Sequence, residues 1–216
     1  MKIKLKSIAL VMALVTLISS FTVFTASAAN VSYSATSVAG KKGDTVTIIV
    51  KLSSDVDIWG ANVMLGYNSS ELQFVSCDTG DIASTGNLYN TGSSVNYSGV
   101  FSGKSGTIFS VKFKILKSSG SSTLKLTSTE NIDYSGTSYS CSVKNGKVTV
   151  LDKSAVIGDA NDDKKVTAVD ARLVLQKVAG VNSLSELQSL LVDMNGYGSV
   201  TAVDARMILQ IVAGLN

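Results

Sequence analysis

Histidine is absent from the sequence. That removes the commonest general base, the usual partner of a nucleophilic serine or cysteine, and most zinc sites in one step. Proline is absent too, where average usage would place about ten; nothing in the sequence explains this. Cysteine occurs only as Cys77 and Cys141. In an exported chain two cysteines can bridge, but Cys141 alternates with Tyr139 and Val143 and reads as a small hydrophobe on an apolar face. Trp59 is the single tryptophan, read as an edge or core anchor, with a sugar-stacking platform as the alternative.

An excess of one charge is missing as well. Nineteen basic residues stand against sixteen acidic ones, but three of the lysines, Lys2, Lys4 and Lys6, precede an apolar run from Ile8 to Phe24 that ends in Ala26-Ser27-Ala28. This is the pattern of a secretory signal peptide cleaved after about Ala28. An uncleaved anchor is the alternative, disfavoured by the cleavage pattern and by the serines and threonines within the run. Removing residues 1–28 balances the charge, so no basic patch argues for nucleic acid or an anionic membrane. With no apolar tail or sorting motif after the last repeat, the expectation is a secreted, extracellular chain, associated with a cell surface only through its partners.

What the sequence does contain is a duplication. Residues 158–180 read GDANDDKKVTAVDARLVLQKVAG and residues 193–214 read DMNGYGSVTAVDARMILQIVAG. Over the shared core, 166–180 against 200–214, twelve of fifteen positions are identical, and such repetition ranks above any local reading. Each copy opens with oxygen side chains at alternate positions and closes in an amphipathic helix. In the first, Asp159, Asn161, Asp163, Thr167 and Asp170 fall at positions 1, 3, 5, 9 and 12 of a loop whose position-7 carbonyl belongs to Lys165. That spacing lets a twelve-residue loop wrap calcium, a hard cation that takes six to eight oxygens. The second copy offers Asp193, Asn195, Thr201 and Asp204, with the Ser199 carbonyl at position 7, but has Tyr197 at position 5. Two carboxylates against three predict one tight site and one weaker one. The plainer alternative is a polar turn in which Asp170 caps the helix.

No entering helix precedes the first loop, and position 12 is Asp rather than Glu. A duplicated loop–helix with these features resembles the dockerin family, over about the last 60 residues. The resemblance implies calcium-dependent folding and binding to a cohesin on another protein. Lys164 departs from the pattern at position 6, where Gly is expected for its positive φ; the departure costs roughly 1 kcal/mol. Gly198 keeps the pattern in the second loop. On the helices, Leu173, Val174 and Val178, with Met207, Ile208 and Val212, are expected to be core. Ala168, Arg172 and Gln176 share another face with Val169 beside them, as do Ala202, Val203, Arg206 and Gln210; these are the expected cohesin contacts, usable in two orientations related by about 180°. Ser183 and Glu186 suggest a capping box for a short connecting helix.

Residues 29–151 read as all-β. Val46, Ile48, Val50 and Leu52 alternate with polar neighbours, as do Phe109, Val111, Phe113 and Ile115. Turn signals such as Lys42-Gly43-Asp44 and Asn145-Gly146 punctuate the runs, and about nine strands at this spacing predict a two-sheet sandwich. The order GDTVTIIVKLS, IWGANVMLGYNSSELQFVSCDTGDI, TIFSVKFKIL and KVTV resembles a cohesin domain, a jelly-roll sandwich. It implies that the strands around Trp59–Tyr67 and Val95–Val100 receive a dockerin, with Gly60, Asn62, Asn96 and Ser98 as contacts, and that the strands bearing the two cysteines lie far apart. The expected organisation is thus signal peptide 1–28, all-β sandwich 29–151, linker 152–157 and a small all-α calcium-binding dockerin 158–216. The expected function is that of a non-catalytic adaptor scaffoldin in a cellulosome-type assembly. Its sandwich would bind a dockerin-bearing protein, such as a polysaccharide-degrading enzyme, and its own dockerin a cohesin of a larger scaffoldin. A carbohydrate-binding sandwich carried by a dockerin is the alternative. A glycosidase would need two carboxylates facing across a cleft, and the sandwich holds only Glu71 and Glu130 as glutamates.

Overall fold

A computed structural model of the chain describes residues 29–215; the signal-peptide expectation falls on residues 1–28, outside that range. Eleven strands come first: β1 Val31–Ala35, β2 Val38–Gly40, β3 Thr45–Ser54, β4 Gly60–Gly66, β5 Leu72–Thr79, β6 Ala83–Asn90, β7 Ser94–Phe101, β8 Ser105–Ile115, β9 Ser121–Ile132, β10 Ser142–Lys144 and β11 Gly146–Val150. Three helices follow, here α1 Ala168–Val178, α2 Glu186–Val192 and α3 Ala202–Val212. The strands form a five-stranded sheet, β10-β1-β3-β8-β5, and a six-stranded sheet, β2-β11-β9-β4-β7-β6.

Period-two alternation builds the core. Antiparallel β3 and β8 set Ile48 opposite Val111 and Val46 opposite Phe113. Ile48, Val50, Leu52, Val111, Phe113 and Ile115 are all buried. From the other sheet Val63, Leu65, Val95, Tyr97, Leu124 and Leu126 point at them. Each such side chain contributes roughly 1.5–3 kcal/mol by leaving water. The core's polar atoms are satisfied: the Tyr33 hydroxyl donates to Asn131 Oδ1 at 2.8 Å, and burial pushes that phenol up to about 12.

The described residues hold eleven strands rather than nine because the first and last strands each switch sheets halfway. The first breaks after Ala35, where the Thr36 amide donates to Ile49 O at 3.0 Å and its hydroxyl accepts from Ile49 N at 3.0 Å. The last breaks at Asn145, and β10 and β11 pair in parallel with β1 and β2. Gly146 is needed at this crossing, since a Cβ there would lie 2.6 Å from Thr36 O.

Cys77 lies on β5 and Cys141 immediately before β10, at opposite edges of one sheet, and both are free. Four strand spacings, roughly 19 Å, separate those edges, beyond the reach of a disulfide. Cys141 and Tyr139 are half-buried against the core, but Val143 is exposed, so the expected apolar face ends one residue pair early.

The helical part closes on Ala160, Ala171, Val174, Val192, Ala205 and Ile208, with α1 packed against α3. The Val-Ala-Gly ending each repeat stops its helix. Gly180 and Gly214 take positive φ, and the next amide reaches back to the helix, Val181 N to Gln176 O and Leu215 N to Gln210 O, each 2.9 Å, a Schellman closure. Two expectations need correction. Val178 and Val212 are exposed, because the chain turns away there, and Ala171 and Ala205 take the inner positions. The cap of α2 is Ser185 with Gln188, not Ser183 with Glu186.

Candidate partner faces and metal loops

On the six-stranded sheet, β4 lies between β7 and β9. Asn62 sits opposite Ser98, and Met64 opposite Asn96. Ala61, Val63 and Leu65 point inward and are buried, so Asn62 and Met64 face out. Of the four residues expected here, Asn62 and Asn96 are half-exposed, Ser98 is exposed, and Gly60 is buried; Gly60 gives the face no accessible surface. Sequence reasoning missed three neighbours. Met64 could have been found by carrying the alternation on from Asn62. Tyr89, opposite Asn96 on β6, could not, because β6 (ASTGNLYN) carries no apolar period. Glu130 sits at a register shift between β4 and β9, has φ 58°, and accepts from Asn62 Nδ2. Trp59 is neither at a sheet edge nor in the core: it is exposed immediately before the central strand β4, its amide donating to Ile132 O and its carbonyl accepting from Phe101 N, and it meets Tyr134 edge-on, ring planes at 89°; the two rings make no flat platform for a sugar.

On the helices, Ala168, Val169, Arg172, Ala202, Val203, Arg206 and Gln210 are exposed and Gln176 is half-exposed. The two copies therefore present matching faces to solvent. Leu175 and Leu209 are exposed beside them and were missed, although three residues on from Arg172 and Arg206 marks the same face.

The loops position their oxygens through the backbone. Asp159 is buried and its carboxylate accepts from Lys164 N at 2.8 Å and Asp163 N at 3.2 Å. Asn161 Oδ1 accepts from Asp163 N at 3.0 Å, and Asp163 Oδ1 from Lys165 N at 2.9 Å. Asp170 closes the loop: one oxygen accepts from Ala160 N at 2.9 Å, the other from Thr167 N at 2.8 Å and Thr167 Oγ1 at 3.0 Å. Thr167 is at the same time the N-cap of α1 with Asp170 as its capping-box partner, so the cap and the loop closure are one device. Lys164 has φ 69°, and its ammonium pairs with Asp162, a contact that holds it above the ordinary lysine range.

The second loop repeats this geometry. Asp193 accepts from Gly198 N at 2.7 Å, Asn195 Oδ1 from Tyr197 N at 2.9 Å, and Asp204 from Thr201 N at 2.8 Å and Thr201 Oγ1 at 2.9 Å. Ser199 lies exposed between them, and Tyr197 is exposed and turned outward.

Among the described residues no group of three or more His, Cys, Asp or Glu side chains gathers into a metal cluster. Asp159, Asp163 and Asp170 are thus not gathered as a three-carboxylate site; the oxygens the loops offer are mixed, carboxylate, amide, hydroxyl and carbonyl, of the kind a calcium ion takes. Two observations fit one. Asp159, Asp170 and Asp204 are buried, yet among the described residues none is in an ion pair. Asp193 Oδ1 is inaccessible and has no hydrogen-bond partner, and burial raises its pKa. Buried carboxylates that lack a counter-charge remain costly even when hydrogen-bonded.

The family model for the cohesin domain matches residues 31–150, and that for the dockerin type I domain matches residues 157–212. No curated protein matches the chain. Among solved structures, a non-cellulosomal cohesin from the archaeon Archaeoglobus fulgidus is 20% identical with a TM-score of 0.50, covering 57% of this chain and 93% of that one. The sixth cohesin of scaffoldin B from Acetivibrio cellulolyticus, solved with a Cel5 dockerin, is 20% identical with a TM-score of 0.51, covering 56% and 99%. A type I cohesin–dockerin complex from Clostridium thermocellum gives 15% identity and a TM-score of 0.51, covering 56% and 99%. At these identities the structures speak for the sandwich fold alone, while the cohesin model spans more than half of the sequence. The chain belongs to the cohesin family and carries a type I dockerin domain behind its sandwich.

Proposed function

We infer that this chain is a coupler, an adaptor scaffoldin whose sandwich receives a dockerin-bearing protein while its own dockerin plugs into a cohesin elsewhere. The observation that carries this is the coexistence of both complementary modules in one chain with both partner faces open to solvent. The sheet face around Asn62, Met64, Asn96 and Ser98 offers amides, a hydroxyl and a thioether. The helix faces offer Arg172 or Arg206 above a small apolar floor of Ala and Val, a surface on which Arg makes an effective anchor.

Calcium holds the dockerin together in this reading. Asp159, Asn161, Asp163, Thr167 and Asp170, with the Lys165 carbonyl, hold the tighter ion. Asp193, Asn195, Thr201 and Asp204, with the Ser199 carbonyl, hold the weaker one. The ion neutralises carboxylates that the fold buries. The setting is extracellular, and the guest of the sandwich is a polysaccharide-degrading enzyme. Cohesins and dockerins are interaction modules, and the reading assigns no catalysis.

The test is ternary capture. The chain, immobilised in calcium buffer, is offered a panel of dockerin-bearing proteins and then a panel of cohesins. One of each should bind, neither displacing the other; mutual displacement would refute the coupler. Because α1 and α3 present the same side chains, Arg172→Ala or Arg206→Ala alone should leave cohesin affinity nearly intact, and the double substitution should abolish it. A large loss from one single substitution means one fixed orientation.

A further inference from the structure

The two modules touch through surfaces that neither partner face uses. The connecting stretch is anchored at both ends: Leu151 is buried and its amide donates to Gly40 O at 2.8 Å, while the Gly158 amide donates to Leu191 O at 2.8 Å. Only residues 152–157 lie between, and Lys41 Nζ holds them near their start through Lys153 O at 3.0 Å.

Beyond that short stretch, the second loop is seated where the sandwich changes sheets. Lys51 on β3 donates to Tyr197 O at 2.9 Å, and its ammonium stands 5.4 Å from the centroid of the Tyr197 ring. Gly198 lies so close to Thr36 that a Cβ on it would come within 2.9 Å of Thr36 Cγ2. Alongside, Lys147 on β11 pairs with Glu186 at the start of α2. Between these polar pairs an open cleft of about 580 Å³ remains, with Val38, Val46 and Ile49 on one side and Leu190 and Met194 on the other. The seam is therefore not sealed by apolar packing, and these few pairs hold it.

This gives Tyr197 a physical account. A phenol at loop position 5 is a poor calcium ligand, but turned outward it offers Lys51 an aromatic face and a carbonyl together. Gly198 is held to glycine twice, by its φ of +80° and by Thr36. The equivalent residue of the first loop, Lys164, instead lines an open cleft shared with Thr149 and Val150 of β11.

We propose that the second loop is a docking element: it seats the dockerin on its own sandwich through Tyr197 and Lys51, so that the chain is a rigid coupler with its two partner faces at a fixed angle. The loop assignments rest on the dockerin reading, but the docking does not depend on which partners the faces capture.

The test is ¹⁵N relaxation on the calcium-loaded chain. Both modules should report one tumbling time. In Lys51→Ser the dockerin amides should report a time roughly twofold shorter than in the parent, because a small tethered body reorients faster. Lys147→Glu should have the same effect and Lys147→Glu/Glu186→Lys should reverse it; these are surface side chains outside both metal sets, so each module's amide shifts report that it stays folded. Two distinct times in the parent, or a common time retained in both Lys51→Ser and Lys147→Glu, overturns the proposal. Ternary capture reads the coupler function separately, since loss of partner binding with a single tumbling time would refute that function and leave the docking standing.

Discussion

The sandwich and the dockerin are held together by different means. The sandwich buries aromatic and branched side chains from both sheets, Tyr33, Phe109, Phe113, Ile48 and Leu65 among them. Among the described residues the dockerin buries seven apolar side chains, six of them in one cluster in which Ala160, Ala171 and Ala205 are alanine, and alongside them the carboxylates of Asp159, Asp170 and Asp204. A core that small rarely holds a domain of about 60 residues unaided, and buried carboxylates work against it. The difference predicts metal dependence in one half of the molecule only.

The largest effect that would test this contrast is chelation. With calcium removed, the helical circular-dichroism signal should vanish while the sandwich keeps its own cooperative melt, because in such a module metal-binding free energy is folding free energy. Helices that survive chelation would remove the distinction. Matched truncations sharpen it. Leu124→Ala in the sandwich and Ile208→Ala in the dockerin, both fully buried, should each cost about 2–5 kcal/mol. The sandwich should remain folded with a lowered midpoint in urea. The dockerin should need far more calcium to fold, read as a rightward shift of its calcium titration.

How much of this was legible beforehand follows the same division. Strands with strict alternation, β3 and β8, were readable because one face must be dry. The repeat made α1 and α3 readable, along with the order of loop oxygens. Three kinds of feature were not. The breaks at Thr36 and Asn145 arise because each strand must serve two sheets, a demand of the closed sandwich that no local pattern records. The exposure of Val178 and Val212 reflects helices that end before a second turn of core exists to cover them, so periodicity overran the packing. Glu130 joins the Asn62 face only through a register shift between β4 and β9, and Tyr89 through the pairing of β6 with β7; both depend on which strands become neighbours. The α2 cap was displaced by two residues because Ser183 and Ser185 both precede a suitable partner at three residues, and the helix begins at the second.

A contrast within the dockerin comes next in size. The first loop has carboxylates at three ligand positions and the second at two, so calorimetry should resolve two unequal calcium sites. Asp159→Ala should remove the tighter one and Asp193→Ala the weaker one. Two equal sites, or loss of the tight phase on changing Asp193, would reverse the ranking.

The smallest effect concerns loop position 6, where the loops differ in a single residue type. Lys164 holds φ 69° with a Cβ; Gly198 holds φ 80° without one. Lys164→Gly should relieve left-handed strain of about 1 kcal/mol. Part of that gain is cancelled by the greater freedom of glycine in the unfolded chain, and the exposed pairing with Asp162 contributes little. It also removes a positive charge from beside the ion, so calcium affinity of the first loop should rise modestly, by a few-fold at most. The reciprocal Gly198→Ala should lose more than this gains, because its Cβ meets both the strained φ and Thr36 Cγ2 at 2.9 Å. Calcium titration of the two single variants and the double would separate the causes. If Gly198→Ala costs no more than the strain at Lys164, the sandwich exerts no pressure on the second loop, and the asymmetry between the loops is a matter of ligand count alone.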